Sequence, residues 1–339
     1  EVEVVDMKEC LRCGGNAMLS PSLMEALDGC LRRGEQAMLL LNRRGYTPVL
    51  RCLSCGEVLK CPHCEVALSY HKQENCLKCH VCGYSRTLPG HCPTCGANDW
   101  RSLGMGTQRL EEYVHHCFPQ ARIVRMDADT TRVKGAHETL LEQFSKDADI
   151  LLGTQMIAKG LDYARVTLVG ILNADAMLNR GDYRCSEMTY DLLEQACGRS
   201  GRGERSGRVI LQAYDCAHYA VRCAAAHDYE GFFRREMQFR HLAQYPPYAY
   251  LSAVVLHHRN AQTVREDALA AREALSGGAF KVLGPIELGR LRDECRWRLI
   301  LKGKDLHEQA AALRRLAQAH RMQKRRSRLE IDVDLMMLE

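Results

Sequence analysis

Cys52-Leu-Ser-Cys55, Cys61-Pro-His-Cys64, Cys79-His-Val-Cys82 and Cys92-Pro-Thr-Cys95 place four C-x2-C pairs within 44 residues. A two-residue spacer lets one tight turn aim both thiolates at a single metal. Gly56, Gly83 and Gly96, directly after three of the pairs, suit the backbone of such knuckles. Fourteen residues separate the inner pairs Cys61/Cys64 and Cys79/Cys82, close to ribbon spacing, which leaves Cys52/Cys55 to close with Cys92/Cys95. The expectation is two nested sites of four cysteines each, holding two Zn2+ per chain. Eight thiolates fill two tetrahedral shells and leave no open position for water, so the metals are expected to be structural and to stand in for a hydrophobic core. Disulfides or scattered buried cysteines are the competing reading, and regular pairing without secretory features disfavours them. Cys76 rivals Cys79, and His63, His71, His80 and His91 are chemically able to substitute as ligands, but each substitution breaks the regular pattern.

Around this stretch lie 339 residues, 46% of them hydrophobic, enough for two domains besides the cysteine module. No run of 18 apolar residues occurs, and Glu1-Val2-Glu3-Val4-Val5-Asp6 lacks the basic and apolar regions of a signal peptide. The expected location is therefore cytoplasmic, with no membrane partner. Of 18 cysteines, eight are organised for metal and ten are scattered, which fits a reducing compartment. Cys10 and Cys13 form a further C-x2-C with no separate pair to complete a site, and read as incidental. Net charge is only +5, but Arg290 to Arg328 carries thirteen Lys and Arg against Asp293, Glu294, Asp305 and Glu308, a local +9 with about −4 elsewhere. A phosphate-binding face and a solvated charged helix both account for it.

Ser20-Pro21 followed by Ser-Leu-Met-Glu-Ala-Leu predicts a capped helix, and the apolar, non-alternating Ala37–Asn42 a strand covered on both faces of a parallel sheet. Beyond the cysteines the pattern resumes. A helix over 106–117, a strand over 122–126, a helix over 136–144, strands over 149–153 and 166–172, a helix over 186–197 and a strand over 208–212 make a βα series, hence one α/β lobe with a parallel sheet. Residues 217–242 read as one long helix, ended by Tyr245-Pro246-Pro247. The order then changes to strand 250–257, helix 261–275, strands 280–283 and 297–302, helix 306–320 and strand 329–333. This βαββαβ order matches a ferredoxin-like α+β sandwich. The implied domains are 1–50 with 102–244, the insertion 51–101, and 245–339.

Two stretches of the α/β lobe carry chemistry. Gly153-Thr154-Gln155-Met-Ile-Ala-Lys159-Gly160-Leu161-Asp162 follows a strand, where a Gly-Thr turn can offer amides and a hydroxyl to phosphate and Asp162 can accept from a ribose hydroxyl. Gln195-Ala-Cys-Gly198-Arg199-Ser200-Gly201-Arg202 ends a helix, with two guanidiniums spaced to lie on one side of a turn. Such a pair suits charge neutralisation on a triphosphate whose terminal bond is breaking, the role of an arginine finger.

Together these stretches resemble motifs V and VI of superfamily 2 helicases. Leu41-Asn-Arg43-Arg44-Gly-Tyr46, the four cysteine pairs, Gly104-Met-Gly-Thr-Gln108 and Asp127-Ala-Asp-Thr-Thr131 stand in the order found in the primosomal replication-restart helicases of bacteria. The resemblance continues through Tyr245-Pro-Pro-Tyr248, Leu283-Gly-Pro285, Arg296-Trp-Arg298 and Ile331-Asp-Val-Asp334, so it covers essentially the whole chain. It implies a RecA-like second helicase lobe of an ATP-dependent 3′ to 5′ DNA translocase that acts at abandoned forks and helps reload the replicative helicase. Arg199 and Arg202 would be catalytic, Gln195, Gly160 and Asp162 would bind the ATP, and Arg43, Arg44, Thr154, Gln155 and Lys159 would face DNA. The implied partners are forked and single-stranded DNA, single-strand binding protein and other primosome proteins. Leu161, Gln108, Ser200 and Leu335 depart from the family pattern, which commonly has histidine, glutamate, alanine and proline there; none removes a motif arginine or a zinc cysteine.

No G-x4-G-K-[ST] phosphate loop occurs, and Asp293-Glu294-Cys295 is not a D-E-x-H box. The chain reads as the C-terminal half of a longer protein whose other half would hold the phosphate loop and the Mg2+ carboxylate; alone it is not expected to hydrolyse ATP. The alternative is a non-catalytic, zinc-dependent DNA- or primosome-binding module, and a third reading is another superfamily 2 helicase with an unrelated zinc insertion, against which the βαββαβ signatures weigh.

Overall fold

The structure is a computed structural model. It describes residues 1–42, 49–63, 67–71, 74–102, 106–131, 133, 135–158, 163, 165–180, 182–198, 207–336 and 338. These fall into two compact units: Glu1–Val58, Pro89–Arg180 and Cys185–Arg235 form the first, and Leu59–Leu88, Gly181–Arg184 and Glu236–Glu339 the second.

The first unit is built on six strands, β1 (Val2–Asp6), β2 (Gln36–Leu41), β3 (Ile123–Met126), β4 (Ile150–Gly153), β5 (Val166–Leu172) and β6 (Arg208–Ala213). They lie in the order β1-β6-β5-β2-β4-β3, and every pairing is parallel. The apolar runs β2, β4 and β5 are buried along their whole length because successive side chains enter two different cores. Met38, Leu40 and Leu151 meet Phe144 and the helix Cys185–Cys197 through Tyr190, Leu193 and Ala196. Leu39, Leu41 and Leu152 meet Leu23 and Leu27 of the helix Pro21–Arg32, and Leu110 and Val114 of the helix Thr107–Cys117. Each leucine fully buried in this way contributes about 1.5–3 kcal/mol. At Gly170 a Cβ would stand 2.8 Å from Leu39 and 2.9 Å from Leu23, so any larger residue would push both leucine side chains aside where the helix packs on the sheet.

The helix Pro21–Arg32 starts as its sequence predicts, with Ser20 accepting from the Leu23 amide and Pro21 in the first turn. Two features differ from the sequence reading. Strand β1, whose acidic residues hid its apolar character, forms the sheet edge beside β6. The single helix expected over 217–242 is two, Tyr219–Ala225 and Tyr229–Ala243, broken where His227 adopts φ 52°. A short antiparallel pair, Leu50–Cys52 with Trp100–Ser102, brackets the cysteine stretch within the first unit.

The second unit holds β7 (Tyr250–His258), β8 (Lys281–Leu291), β9 (Glu294–Gly303) and β10 (Arg328–Val333), antiparallel in the order β8-β9-β7-β10. The helices Ala261–Ala274 and Leu306–Met322 share one core with the sheet, through Val264, Ala268, Leu313 and Leu316 against Val254, Leu256, Leu299 and Leu301. This is the ferredoxin-like arrangement read from the βαββαβ order. Strands β8 and β9 run further than the apolar pattern implied and meet in a tight turn at Arg292 (φ 50°) and Asp293 (φ 64°); positive φ at both central residues marks the turn whose twist matches a hairpin. A three-stranded meander of Ser69–His71, Cys76–Lys78 and Ser85–Thr87 completes the unit.

Candidate functional site

Cys52, Cys55, Cys92 and Cys95 converge in the first unit, their sulfurs all within 4.8 Å of one another. Cys52 Sγ lies 3.6 Å from Cys95 Sγ, and Cys55 Sγ 3.6 Å from Cys92 Sγ. A tetrahedron with Zn–S bonds of about 2.3 Å has edges of about 3.8 Å, so this donor set fits one zinc ion with little adjustment. Two equivalent turns present the sulfurs. Gly56 (φ 75°) donates its amide to the Cys52 carbonyl, and Gly96 (φ 76°) donates to that of Cys92, both at 2.8 Å. Burial opposes ionisation at Cys92, but the amides of Cys95 and Thr94 and the neighbouring thiols outweigh it and bring that thiol down to about 7; burial pushes Cys55 up to about 12. Four thiols this close cannot all ionise without a cation, and a zinc ion held by them would supply the balancing charge.

In the second unit Cys61, Cys79 and Cys82 converge in the same way, with Cys61 and Cys82 sulfurs 3.6 Å apart. Their expected fourth partner, Cys64, lies outside the described residues. Gly83 (φ 80°) repeats the knuckle turn, donating to the Cys79 carbonyl at 3.0 Å, and the amides of Val81 and Tyr84 point at Cys79 and Cys82 sulfurs at 3.4 and 3.5 Å. Cys76 sits in the meander facing Glu74 and joins neither cluster, and none of the four histidines does among the described residues. His71 and His80 face each other with Nε2 atoms 3.3 Å apart, and His91 meets the Gly96 carbonyl. Arg298 of β9 donates to the His80 carbonyl at 2.8 Å and to that of Leu338, which ties the knuckle to the antiparallel sheet.

A parallel sheet presents its ligand-binding loops at the carboxyl ends of its strands. At that edge Gly153 ends β4 so close to β3 that a Cβ would stand 2.4 Å from the Met126 carbonyl. Thr154 donates its amide to the same carbonyl at 3.3 Å, and Gln155–Ala158 continue as a short 3-10 turn. Both side chains are half-buried, whereas Gln195, near the end of its helix, is exposed. Arg43, Arg44, Lys159, Gly160, Asp162, Arg199 and Arg202 lie outside the described residues.

Two groups at this edge escaped the sequence reading as chemistry. Asp127, 5% exposed, accepts from Thr107 Oγ1 at 2.5 Å and from the amides of Asp129 and Thr130 at 2.9 and 3.0 Å. Arg51 and Asp175, both buried, pair at 3.2 Å, and Asp175 also accepts from the Asp215 amide. An aspartate directly after a predicted strand was the available signal for the first; the second joins residues 124 apart in sequence and had none.

Part of the lobe, the inner cysteine cluster and the antiparallel domain each match a family model. The Primosomal protein N C-terminal domain covers residues 241–336, the PriA DNA helicase Cys-rich region (CRR) domain 61–86, and the Helicase conserved C-terminal domain 103–204. Replication restart protein PriA of Bacillus subtilis (strain 168) is 43% identical over 99% of this chain and 42% of its own length. The PriA of Synechocystis is 40% identical over 89% of this chain and 37% of its own, and that of Haemophilus influenzae 35% identical over 93% and 44%. The chain belongs to the PriA family. It spans about two fifths of the length of these PriA relatives. The PriA Cys-rich model takes in the inner cysteines from Cys61 to Cys82, and the helicase model takes in the Thr107, Asp127 and Thr154 turns. Among the described residues, no helix is long and apolar enough to cross a membrane.

Proposed function

We propose that this chain is the second motor lobe, zinc module and C-terminal domain of an ATP-dependent 3′ to 5′ DNA helicase that works in replication restart and primosome assembly. In this reading Arg199 and Arg202 reach a triphosphate held by another lobe, where they offset charge as the terminal phosphoryl group leaves. Gln195, Gly160 and Asp162 hold the ATP, whose Mg2+ comes with the other lobe. Arg43, Arg44, Thr154, Gln155 and Lys159 contact a DNA strand through its phosphates, independently of sequence. Two zinc ions, on Cys52/Cys55/Cys92/Cys95 and on Cys61/Cys64/Cys79/Cys82, brace the insertion over 51–101. Forked and single-stranded DNA, single-strand binding protein and primosome proteins are the partners, in the cytoplasm.

The observation that carries this reading is the adjacent pair of turns at the carboxyl edge of β3 and β4, Asp127–Thr131 and Thr154–Ala158, on the lobe matched by the helicase model. The test is Arg202→Ala in the full-length protein: ATP turnover should fall by about 10³-fold or more while DNA binding persists. Unchanged turnover removes Arg202 from the catalytic set. A full-length protein without DNA-stimulated turnover leaves the second reading, a zinc-dependent docking module, for which the +9 stretch from Arg290 to Arg328 speaks.

A further inference from the structure

The Asp127 carboxylate binds three segments of the first unit at once. Its Oδ2 takes the Thr107 hydroxyl at 2.5 Å, which fixes the start of the helix Thr107–Cys117, where Gly106 has no side chain to cap it. Its Oδ1 takes the Asp129 and Thr130 amides, and Thr131 Oγ1 donates to the Asp127 carbonyl at 2.7 Å, so the turn closes on itself. Arg125 Nε stands 3.2 Å from Oδ2 as a charge contact while its Nη1 grips Glu111 of the same helix at 2.6 Å. The far side of this turn supports the next strand's loop: the Met126 carbonyl receives the Thr154 amide, and Thr131 Oγ1 reaches Met156 Sδ at 3.9 Å. Gly153 has no room for a side chain, a Cβ there lying 2.4 Å from the Met126 carbonyl, so the two turns pack backbone against backbone.

We infer that Asp127 is a positioning residue: by fixing the Asp127–Thr131 turn as the floor beneath Thr154–Ala158, it sets how strongly the motor responds to DNA. The inference rests on the DNA-facing role proposed above for Thr154 and Gln155. Asp127 itself is buried and its carboxylate is engaged by Thr107, Asp129 and Thr130, so its removal acts through the neighbouring turn. The Thr107 hydroxyl is its aligned side-chain donor from the helix, which makes Thr107 a second handle on the same network.

Full-length protein carrying Asp127→Asn, Thr107→Val or Thr107→Ser is compared with wild type in ATP turnover titrated with single-stranded DNA, in ATP titrations, and in thermal melting. Asp127→Asn and Thr107→Val should raise the DNA concentration for half-maximal stimulation by on the order of ten- to a hundredfold. The KM for ATP should hold, and Thr107→Ser, which keeps the hydroxyl, should restore the wild-type DNA dependence. Equal DNA dependence in all four proteins overturns the inference. So does a fall in melting temperature accompanied by parallel losses in ATP and DNA response, which marks a merely structural residue. Amide exchange in the Thr154–Ala158 turn separates this from the parent reading: Asp127→Asn should speed exchange there whether or not the protein turns over ATP. Unchanged exchange sinks the positioning role, whereas faster exchange in a protein without DNA-stimulated turnover sinks the motor reading and, with it, the DNA response assigned here.

Discussion

The guanidinium of Arg51 lies 4.2 Å from the centroid of the Tyr214 ring, over its face, with Asp175 beside it at 3.2 Å. Arg51 belongs to the short strand that leads into the first cysteine pair, and Tyr214 directly follows β6, so the stacked cation anchors the metal-binding stretch to the parallel sheet. Arg51→Ala would leave Asp175 buried and without its countercharge, and should cost about 3–5 kcal/mol in urea unfolding. Arg51→Lys keeps the charge but loses the planar stack and should cost less. Wild-type stability in Arg51→Lys would mean that the guanidinium plane contributes nothing, and losses equal to those of Arg51→Ala that the charge alone contributes nothing.

Zinc analysis of the purified chain should return about two ions, and Cys92→Ser and Cys79→Ser should each leave about one. Cys76→Ser should leave both, because that thiol faces Glu74 outside either cluster. A wild-type chain with a single ion would refute the two-site assignment.

The knuckle turns can be probed at Gly96, whose φ of 76° and open surroundings make a methyl group strained but not crowded. Gly96→Ala should cost about 1–2 kcal/mol and release zinc sooner to a chelator. Gly90→Ala, also in open space and without the positive φ, should stay within about 0.5 kcal/mol. If the two variants behave alike, backbone conformation is not what sets the turn.

Asp267 supplies a pH test in the second unit. Burial works against its charge, but the Ser327 hydroxyl at 2.6 Å, the Ser327 amide at 3.2 Å and Arg325 at 3.0 Å outweigh it and hold the carboxyl below its ordinary value. A carboxylate depressed in the folded state stabilises fully above its unfolded value of about 3.9, and that contribution is lost as pH falls through the lower folded value. Asp267→Asn should therefore be less stable than wild type at neutral pH, with the gap closing below about pH 4. A gap that does not shrink at all as pH falls below about 4 would assign the effect to neutral hydrogen bonds.

The basic stretch makes a separate prediction. Arg314 and Arg315 are exposed on the helix Leu306–Met322. If they meet phosphate, Arg314→Glu with Arg315→Glu should weaken DNA binding by the chain and flatten its salt dependence by a slope of about 2. Binding and slope equal to wild type would leave the helix as a solvated face.

How much of this was legible in the sequence follows from where the information sits. Strands β2, β4 and β5 are apolar without alternation because both faces are covered, and that pattern is local. The cysteine pairing is local as well: knuckle, glycine and spacing are read within a few residues. Strand β1 was hidden because Glu3 and Asp6 dilute its valines, and its pairing partner is a strand some 200 residues away. The break at His227 and the extension of β8 and β9 to the Arg292–Asp293 turn depend on backbone angles that neither residue type announces. Arg51 with Asp175, and Thr107 with Asp127, are pairs chosen by the fold, and pattern along the chain cannot reveal them. The roles expected of Arg199, Arg202, Arg43, Arg44 and Lys159 lie outside the described residues.

The two sulfur clusters are housed separately: Cys52, Cys55, Cys92 and Cys95 belong to the unit of the parallel sheet, and Cys61, Cys79 and Cys82 to the unit of the antiparallel one. The cysteine stretch is consequently no transplantable cassette. Moved alone into a foreign scaffold, it would leave behind the acid that receives Arg51 and the arginine that clasps the His80 carbonyl, so a chimera that keeps both sulfur clusters must carry over those two contacts as well.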